Sequence, residues 1–128
     1  MAKILVVNND QDTMSLLKMW LEKKSYKVKY TSNRHEVPAI IREFKPRLVI
    51  VDILQKDVVD ELKEDTVTSE VPVLLMTGYT LRQNLTALPA NDFIEKPFNL
   101  SLLAKKIERL VSEPLIPNEL KKEKDDDA

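Results

Sequence analysis

The chain has 128 residues, which suits one domain with a single core. Its 20 Lys and Arg residues nearly cancel 21 Asp and Glu residues, so charge gives no argument for a nucleic-acid or membrane partner. The chain has no cysteine, one glycine (Gly78) and one histidine (His35), which excludes thiol chemistry, glycine-rich nucleotide loops and multi-histidine zinc sites. No apolar run is long enough to span a bilayer and no signal-peptide pattern opens the chain, so we expect a cytoplasmic protein.

Five short runs of apolar or alternating residues predict β-strands. The runs at 4–7, 48–51 and 71–76 are continuously apolar, which is typical of strands that are covered on both faces. The runs at 27–30 and 92–94 are weaker, and they complete the predicted set of strands.

The segments between these strands carry apolar residues at helical spacing. The stripes comprise, in chain order, Met14, Leu17 and Leu21; Val37, Ile40, Ile41 and Phe44; Leu81, Leu85 and Leu88; and Leu100, Leu103, Ala104, Ile107, Leu110 and Val111. A shorter helix is predicted around 58–62, and the first stripe is widened by Leu16, Met19 and Trp20. Asn99 is the predicted N-cap of the last helix, whereas Pro38 leaves the start of the second open. Five strands alternating with five helices predict an α/β fold with a doubly wound parallel sheet.

The composition changes near residue 112. The last sixteen residues, "EPLIPNELKKEKDDDA", contain two prolines followed by a dense run of charges. Such a segment has little apolar surface to bury. We therefore expect a domain at 1–112 and a flexible charged tail at 113–128.

Polar side chains follow the strands at the points where the strands end. Asn8, Asn9 and Asp10 follow the first strand, and three single residues end the later strands: Asp52, Thr77 and Lys96. Each alone has a local explanation in turn or capping hydrogen bonds. The carboxyl ends of parallel strands share one edge of the sheet, however, so these groups are expected to converge there. A carboxylate, a hydroxyl and an ammonium together suit one small, doubly charged oxyanion.

The motifs "KILVV", "KPRLVIVDI", "VPVLLMTGY" and "FIEKPF", in this order, resemble the receiver domain of two-component response regulators over about residues 2–112. The resemblance implies a flavodoxin-like fold with Asp52 as the phosphoacceptor, Thr77 as the hydroxyl that bonds the phosphoryl group and Lys96 as its cationic partner. It also implies that Phe93 is an aromatic switch residue and that the peptide bond before Pro97 is cis.

The resemblance implies a phosphorelay switch rather than a turnover enzyme. A sensor histidine kinase or phosphotransfer protein would supply the phosphoryl group, and a downstream protein partner would read the altered surface. Direct nucleic-acid binding is not expected, and a homodimer, which many members of the family form, stays open. The alternative is a degenerate receiver that binds its partner without phosphorylation. A phosphatase of the haloacid dehalogenase type would need a second aspartate where this chain has Leu54.

The chain departs from the family pattern at the metal site. The family's acidic pair, which holds Mg²⁺ beside the phosphoacceptor, aligns with Asn8 and Asn9. The resemblance therefore implies a Mg²⁺ site at Asn8, Asn9, Asp10 and Asp52 that is weak or absent, because Mg²⁺ usually needs one or two carboxylates. Asp10 either turns toward this site or caps the first helix, and we favour the cap. Lys56 follows Asp52 closely, and we hypothesise that it supplies charge in place of the metal.

Overall fold

The computed structural model describes residues 2–8, 10–52, 64, 70–78, 90–96 and 98–112. The predictions for Asn9, Lys56, Pro97, the helices near 58–62 and 81–88, and the tail fall outside these residues.

One parallel sheet organises the domain. Its strands are β1 (Lys3–Val7), β2 (Lys27–Thr31), β3 (Leu48–Asp52), β4 (Val73–Gly78) and β5 (Asp92–Lys96), in the spatial order β2-β1-β3-β4-β5. The five predicted strands are thus confirmed. β4 begins two residues later than predicted, because Pro72 has no N–H to donate and contributes only its carbonyl, which accepts from the Val49 N–H at 3.0 Å.

The described part of the chain contains three α-helices and one 3₁₀ helix. They are α1 (Gln11–Lys23), the 3₁₀ helix Arg34–Glu36, α2 (Val37–Phe44) and α3 (Leu100–Ser112), the last being the fifth helix of the sequence prediction. The five-helix count therefore stays a prediction. Pro38 lies in the first turn of α2, where the missing N–H costs no helical hydrogen bond. Within the described ranges, no helix has the length and apolar character needed to cross a bilayer.

The core has two layers because alternate strand residues face opposite sides of the sheet. On one side, α2 covers a cluster that includes Leu5, Val7, Val49, Val51 and Leu75. On the other side, α1 and α3 cover a cluster that includes Ile4, Val6, Ile50, Leu74 and Met76. Trp20 packs against this second cluster as predicted. Leu16 and Met19 are 43% and 62% exposed, so the prediction that they widen the buried stripe of α1 is wrong.

Asp92 links the start of β5 to α3 through ion pairs. Its carboxylate accepts from Lys106 Nζ at 3.0 Å and from Arg109 Nη2 at 2.6 Å. Burial alone would raise the pKa of Asp92, but the hydrogen bonds from Lys106 and from the Phe93 N–H, with the charges of Lys106 and Arg109, hold this pKa below its usual value. The strand that carries Phe93 and Lys96 is thereby fixed against the helix.

Tyr30 provides a prediction on stability. Its hydroxyl is buried with no hydrogen-bond partner among the residues described, and burial, aided by the charge of Glu22, raises the pKa of Tyr30 to about 12. Because an unpaired buried hydroxyl is costly, Tyr30→Phe is expected to leave stability at neutral pH unchanged or to raise it by up to about 1 kcal/mol. In the wild type, the stability that comes from the raised pKa of Tyr30 is fully present below pH 10 and is lost as the pH rises toward about 12. The variant has no hydroxyl at this position, so it does not lose stability in this way.

The test is urea denaturation of both proteins from neutral to strongly alkaline pH. The free energy of unfolding of the variant, minus that of the wild type, should grow above pH 10. A difference that does not change with pH would contradict the burial of the hydroxyl.

Candidate functional site

The predicted polar residues lie together at the carboxyl edge of the sheet. Asp52 ends β3 and is paired with Met76, Thr77 follows on β4, and Lys96 ends β5 opposite Gly78. Asn8 follows Val7, which is paired with Val51, so Asn8 lies at the register position beside Asp52. The strands thus bring groups that are far apart in the chain to one place.

Asp52 and Lys96 are in direct contact across the end of β4. Lys96 Nζ donates to Asp52 Oδ2 at 2.5 Å. Ile94 is paired with Met76, as Asp52 is, so Lys96, two residues beyond Ile94, lies on the same face of the sheet as Asp52. Asp52 is only 3% exposed, and the ammonium in contact with it offsets its buried negative charge.

Thr77 and Phe93 lie on the opposite face of the sheet. Leu75 is paired with Phe93, and Thr77 is two residues beyond Leu75, which places the hydroxyl and the ring on one side. Thr77 is fully buried, and its Oγ1 has no hydrogen-bond partner within the described ranges. Phe93 is half-buried and packs against the core cluster on the α2 side. The carboxyl end of β4 therefore holds a buried hydroxyl with no described partner, one residue beyond the register position of Asp52.

Asn8 presents a donor to the site. The side chain is fully buried, and its Oδ1 accepts from the Asp10 N–H at 2.7 Å. This bond identifies Oδ1, so the atom without a partner among the described residues is the Nδ2 donor. An unpaired buried donor costs about 1–3 kcal/mol, and such groups in native proteins call for an explanation.

Asp10 caps α1, as the sequence favoured. Its carboxylate accepts from the Asp12 N–H at 3.2 Å and from Thr13 Oγ1 at 2.6 Å. The Thr13 hydroxyl holds the pKa of Asp10 below its usual value against some desolvation, helped by the Asp12 N–H and the charge of Lys96. The carboxylate is thus engaged at the helix start.

The residues described do not fit a Mg²⁺ site. They include no group of three or more His, Cys, Asp or Glu side chains that could hold a metal ion. Asp10 is used by the helix cap, one oxygen of Asp52 accepts from Lys96, and Asn8 offers a donor where a cation needs an acceptor. Of the four residues predicted for the metal, Asn9 falls outside the described residues, and the other three do not form a ligand set.

Sequence reasoning found the residues of this edge and missed the direction of the Asn8 amide. A signal for it was present, because an asparagine often accepts from the backbone N–H two residues later, and that residue here is Asp10.

Comparison with known proteins gives a consistent result. The family model for the response regulator receiver domain matches residues 4–108. The transcriptional regulatory protein CpxR of Klebsiella pneumoniae is 33% identical over 104 residues, which cover 77% of this chain and 44% of that protein. The chain spans about half the length of this relative and of the other regulators that head the matches.

Solved structures agree on the fold. The receiver domain of a signal transduction histidine kinase from Syntrophus aciditrophicus has a TM-score of 0.80 and 27% identity, and the match covers 88% of this chain and 91% of that one. The receiver domain of the sensor histidine kinase PA1611 from Pseudomonas aeruginosa has a TM-score of 0.79 at 17% identity, with 88% and 98% covered. That protein was crystallised with a magnesium ion coordinated in its active site cleft.

Proposed function

The chain belongs to the response regulator receiver domain family, and on this premise we propose that it is a phosphorelay receiver which accepts one phosphoryl group on Asp52. The contact between Lys96 and the buried Asp52 carboxylate carries this proposal. Phosphoryl transfer to a carboxylate needs a nucleophile, a cation in contact with it and a hydrogen-bond donor nearby. Here the nucleophile is at a strand end, and the donor is a buried hydroxyl one residue beyond it on the neighbouring strand.

The transfer is a displacement at phosphorus. A carboxylate oxygen of Asp52 attacks the phosphorus of a phosphohistidine on a sensor histidine kinase or phosphotransfer protein. The new O–P bond forms as the P–N bond breaks, and the imidazole nitrogen keeps the electron pair and takes a proton from solvent. Lys96 offsets the negative charge that spreads over the phosphoryl oxygens, and Thr77 Oγ1 donates to one of them.

The phosphoryl group then acts as a switch. It replaces the single negative charge of the Asp52 carboxylate with close to two on the phosphoryl oxygens, and it draws the Thr77 hydroxyl toward it. Movement of Thr77 alters the space beside Phe93, which is half-buried on the same face. A downstream protein partner reads the changed surface of the domain.

A degenerate receiver that binds without phosphorylation is the second candidate. The observation in its favour is the Asn8 donor, which stands where the family places an acidic metal ligand. The retention of Asp52, Thr77 and Lys96 in one place favours the phosphorylated form.

The test is intact mass spectrometry after incubation with phosphoramidate, a small phosphodonor. The wild type is expected to gain the mass of one phosphoryl group, which hydroxylamine removes because an acyl phosphate is a reactive mixed anhydride. Asp52→Asn should gain none, whereas Asp12→Asn, a matched change at an exposed residue of α1, should gain as much as the wild type. If the wild type gains no mass although a conventional receiver does under the same conditions, the proposal is wrong.

A further inference from the structure

We propose that the side-chain amide of Asn8 takes the place of the divalent cation, by donating from Nδ2 to the phosphoryl group on Asp52, so that phosphorylation does not depend on Mg²⁺. The inference rests on the proposed function of Asp52. It concerns how this chain offsets charge at a site where the described residues do not form a metal ligand set.

The direction of the amide is fixed by its neighbour. Oδ1 accepts from the Asp10 N–H at 2.7 Å, and a rotated amide would set Nδ2 against that N–H, so that two donors would meet. Asp10 is itself held in place, because its carboxylate caps α1 through Asp12 and Thr13. The Asn8 Nδ2 atom is therefore the group that this position offers to a ligand.

The position of Asn8 suits a phosphoryl group on Asp52. Val6 is paired with Ile50, so Asn8 and Asp52, each two residues further on, share one face of the sheet and adjacent register positions. Lys96 lies on the same face and already contacts Asp52. Asn8 is fully buried, and its donor has no partner among the residues described, which is the state expected of a group whose acceptor arrives with the ligand.

The donor groups match the outer oxygens of the ligand in number. A phosphoryl group on a carboxylate has three outer oxygens, and the edge offers three donor groups, Asn8 Nδ2, Thr77 Oγ1 and Lys96 Nζ. A carboxylate at position 8 would repel these oxygens unless a cation lay between them. An amide there attracts a phosphoryl oxygen directly, so that Lys96 meets one of the two negative charges and the hydrogen bonds from Asn8 and Thr77 act on the rest.

The experiment measures the rate of phosphorylation by phosphoramidate in EDTA and in excess Mg²⁺. The wild type is expected to show rates that differ by less than about twofold, since Mg²⁺ has no carboxylate pair to bind. Asn8→Ala should be slower by about tenfold or more in both conditions, because one hydrogen bond to a charged group is lost. Asn8→Asp should be slow in EDTA and recover at least about tenfold in Mg²⁺, because the new carboxylate can accept the cation.

Asn91→Asp is the matched control. Asn91 makes the same kind of bond, with its Oδ1 accepting from the Val73 N–H at 2.9 Å, but it lies at the amino end of β5, on the opposite edge of the sheet. Its rates should equal those of the wild type in both conditions.

A second measurement follows Mg²⁺ without phosphorylation. The thermal midpoint of each protein is measured with and without Mg²⁺, since a cation that binds the folded state raises it. Only Asn8→Asp is expected to show a rise. A wild type that is phosphorylated only with Mg²⁺, or a folded Asn8→Ala variant that reacts at the wild-type rate, would overturn the role of Asn8 and leave Asp52 as the acceptor. A wild type that is not phosphorylated in either condition would overturn the proposed function itself.

Discussion

Replacement of Lys96 with methionine is expected to lower the free energy of unfolding by about 2–3 kcal/mol. Asp52 is 3% exposed, and Lys96 Nζ contacts its Oδ2 at 2.5 Å, so the variant leaves a buried carboxylate without its cation. The methionine keeps the apolar stem of the lysine, so the loss reports the ammonium rather than the packing. Urea denaturation at neutral pH measures the effect.

Two further variants show whether the loss comes from this pair. The double variant Asp52→Asn with Lys96→Met removes both charges of this pair, so part of the lost stability should return. Lys105→Met makes the same change at an exposed residue of α3 and should alter stability by less than about 0.5 kcal/mol. Equal effects of Lys96→Met and Lys105→Met would mean that the contact at the site contributes nothing to the folded state.

Leu75→Ala is expected to lower the free energy of unfolding by about 3 kcal/mol, because it opens a cavity in the buried core beside β4, an interior strand of the sheet. Leu75 is fully buried on β4, and its strand partners are Val51 and Phe93. It also lies two residues before Thr77 on the same face, so the cavity would adjoin the predicted switch residues.

The matched change is Leu102→Ala on α3, where the side chain is 48% exposed. This variant removes the same atoms from a site that water already reaches, and it should cost less than about 1 kcal/mol. Urea denaturation followed by circular dichroism compares the two. A similar loss of stability in both variants would contradict the burial of Leu75 in the core.

Much of the fold was predictable because buried parallel strands read as continuous apolar runs. The strands at 48–51 and 71–76 were found in this way, although Pro72 delays the start of β4. β5 extends beyond the predicted 92–94 to Lys96, because its last residues lie at the edge of the sheet where polar side chains reach the site. The apolar pattern of the sequence alone did not indicate that β5 continues to Lys96.

The helix α1 shows another limit of prediction from apolar spacing. Leu17 and Leu21 are buried as predicted, whereas Leu16 and Met19 are exposed, since apolar character does not fix which side of a helix meets the sheet. The cap at Asp10 was predictable from local capping chemistry.

The candidate site was predictable in its membership and not in its contacts. The rule that carboxyl ends of parallel strands share an edge brought Asp52, Thr77 and Lys96 together. The direct bond between Asp52 and Lys96 and the direction of the Asn8 amide depend on side-chain geometry, which is set only when the strands are in register.

The alternation of side chains along β4 has a mechanical consequence. Met76 is in register with Asp52, and the next residue, Thr77, belongs to the other face, with Phe93. On the proposed function, the place of chemical input, on β3, and the first residue to respond, on β4, are one strand spacing of about 4.8 Å and one residue apart. In the proposed switch, a signal that starts on the face covered by α1 and α3 therefore reaches the face covered by α2 across the thickness of one sheet.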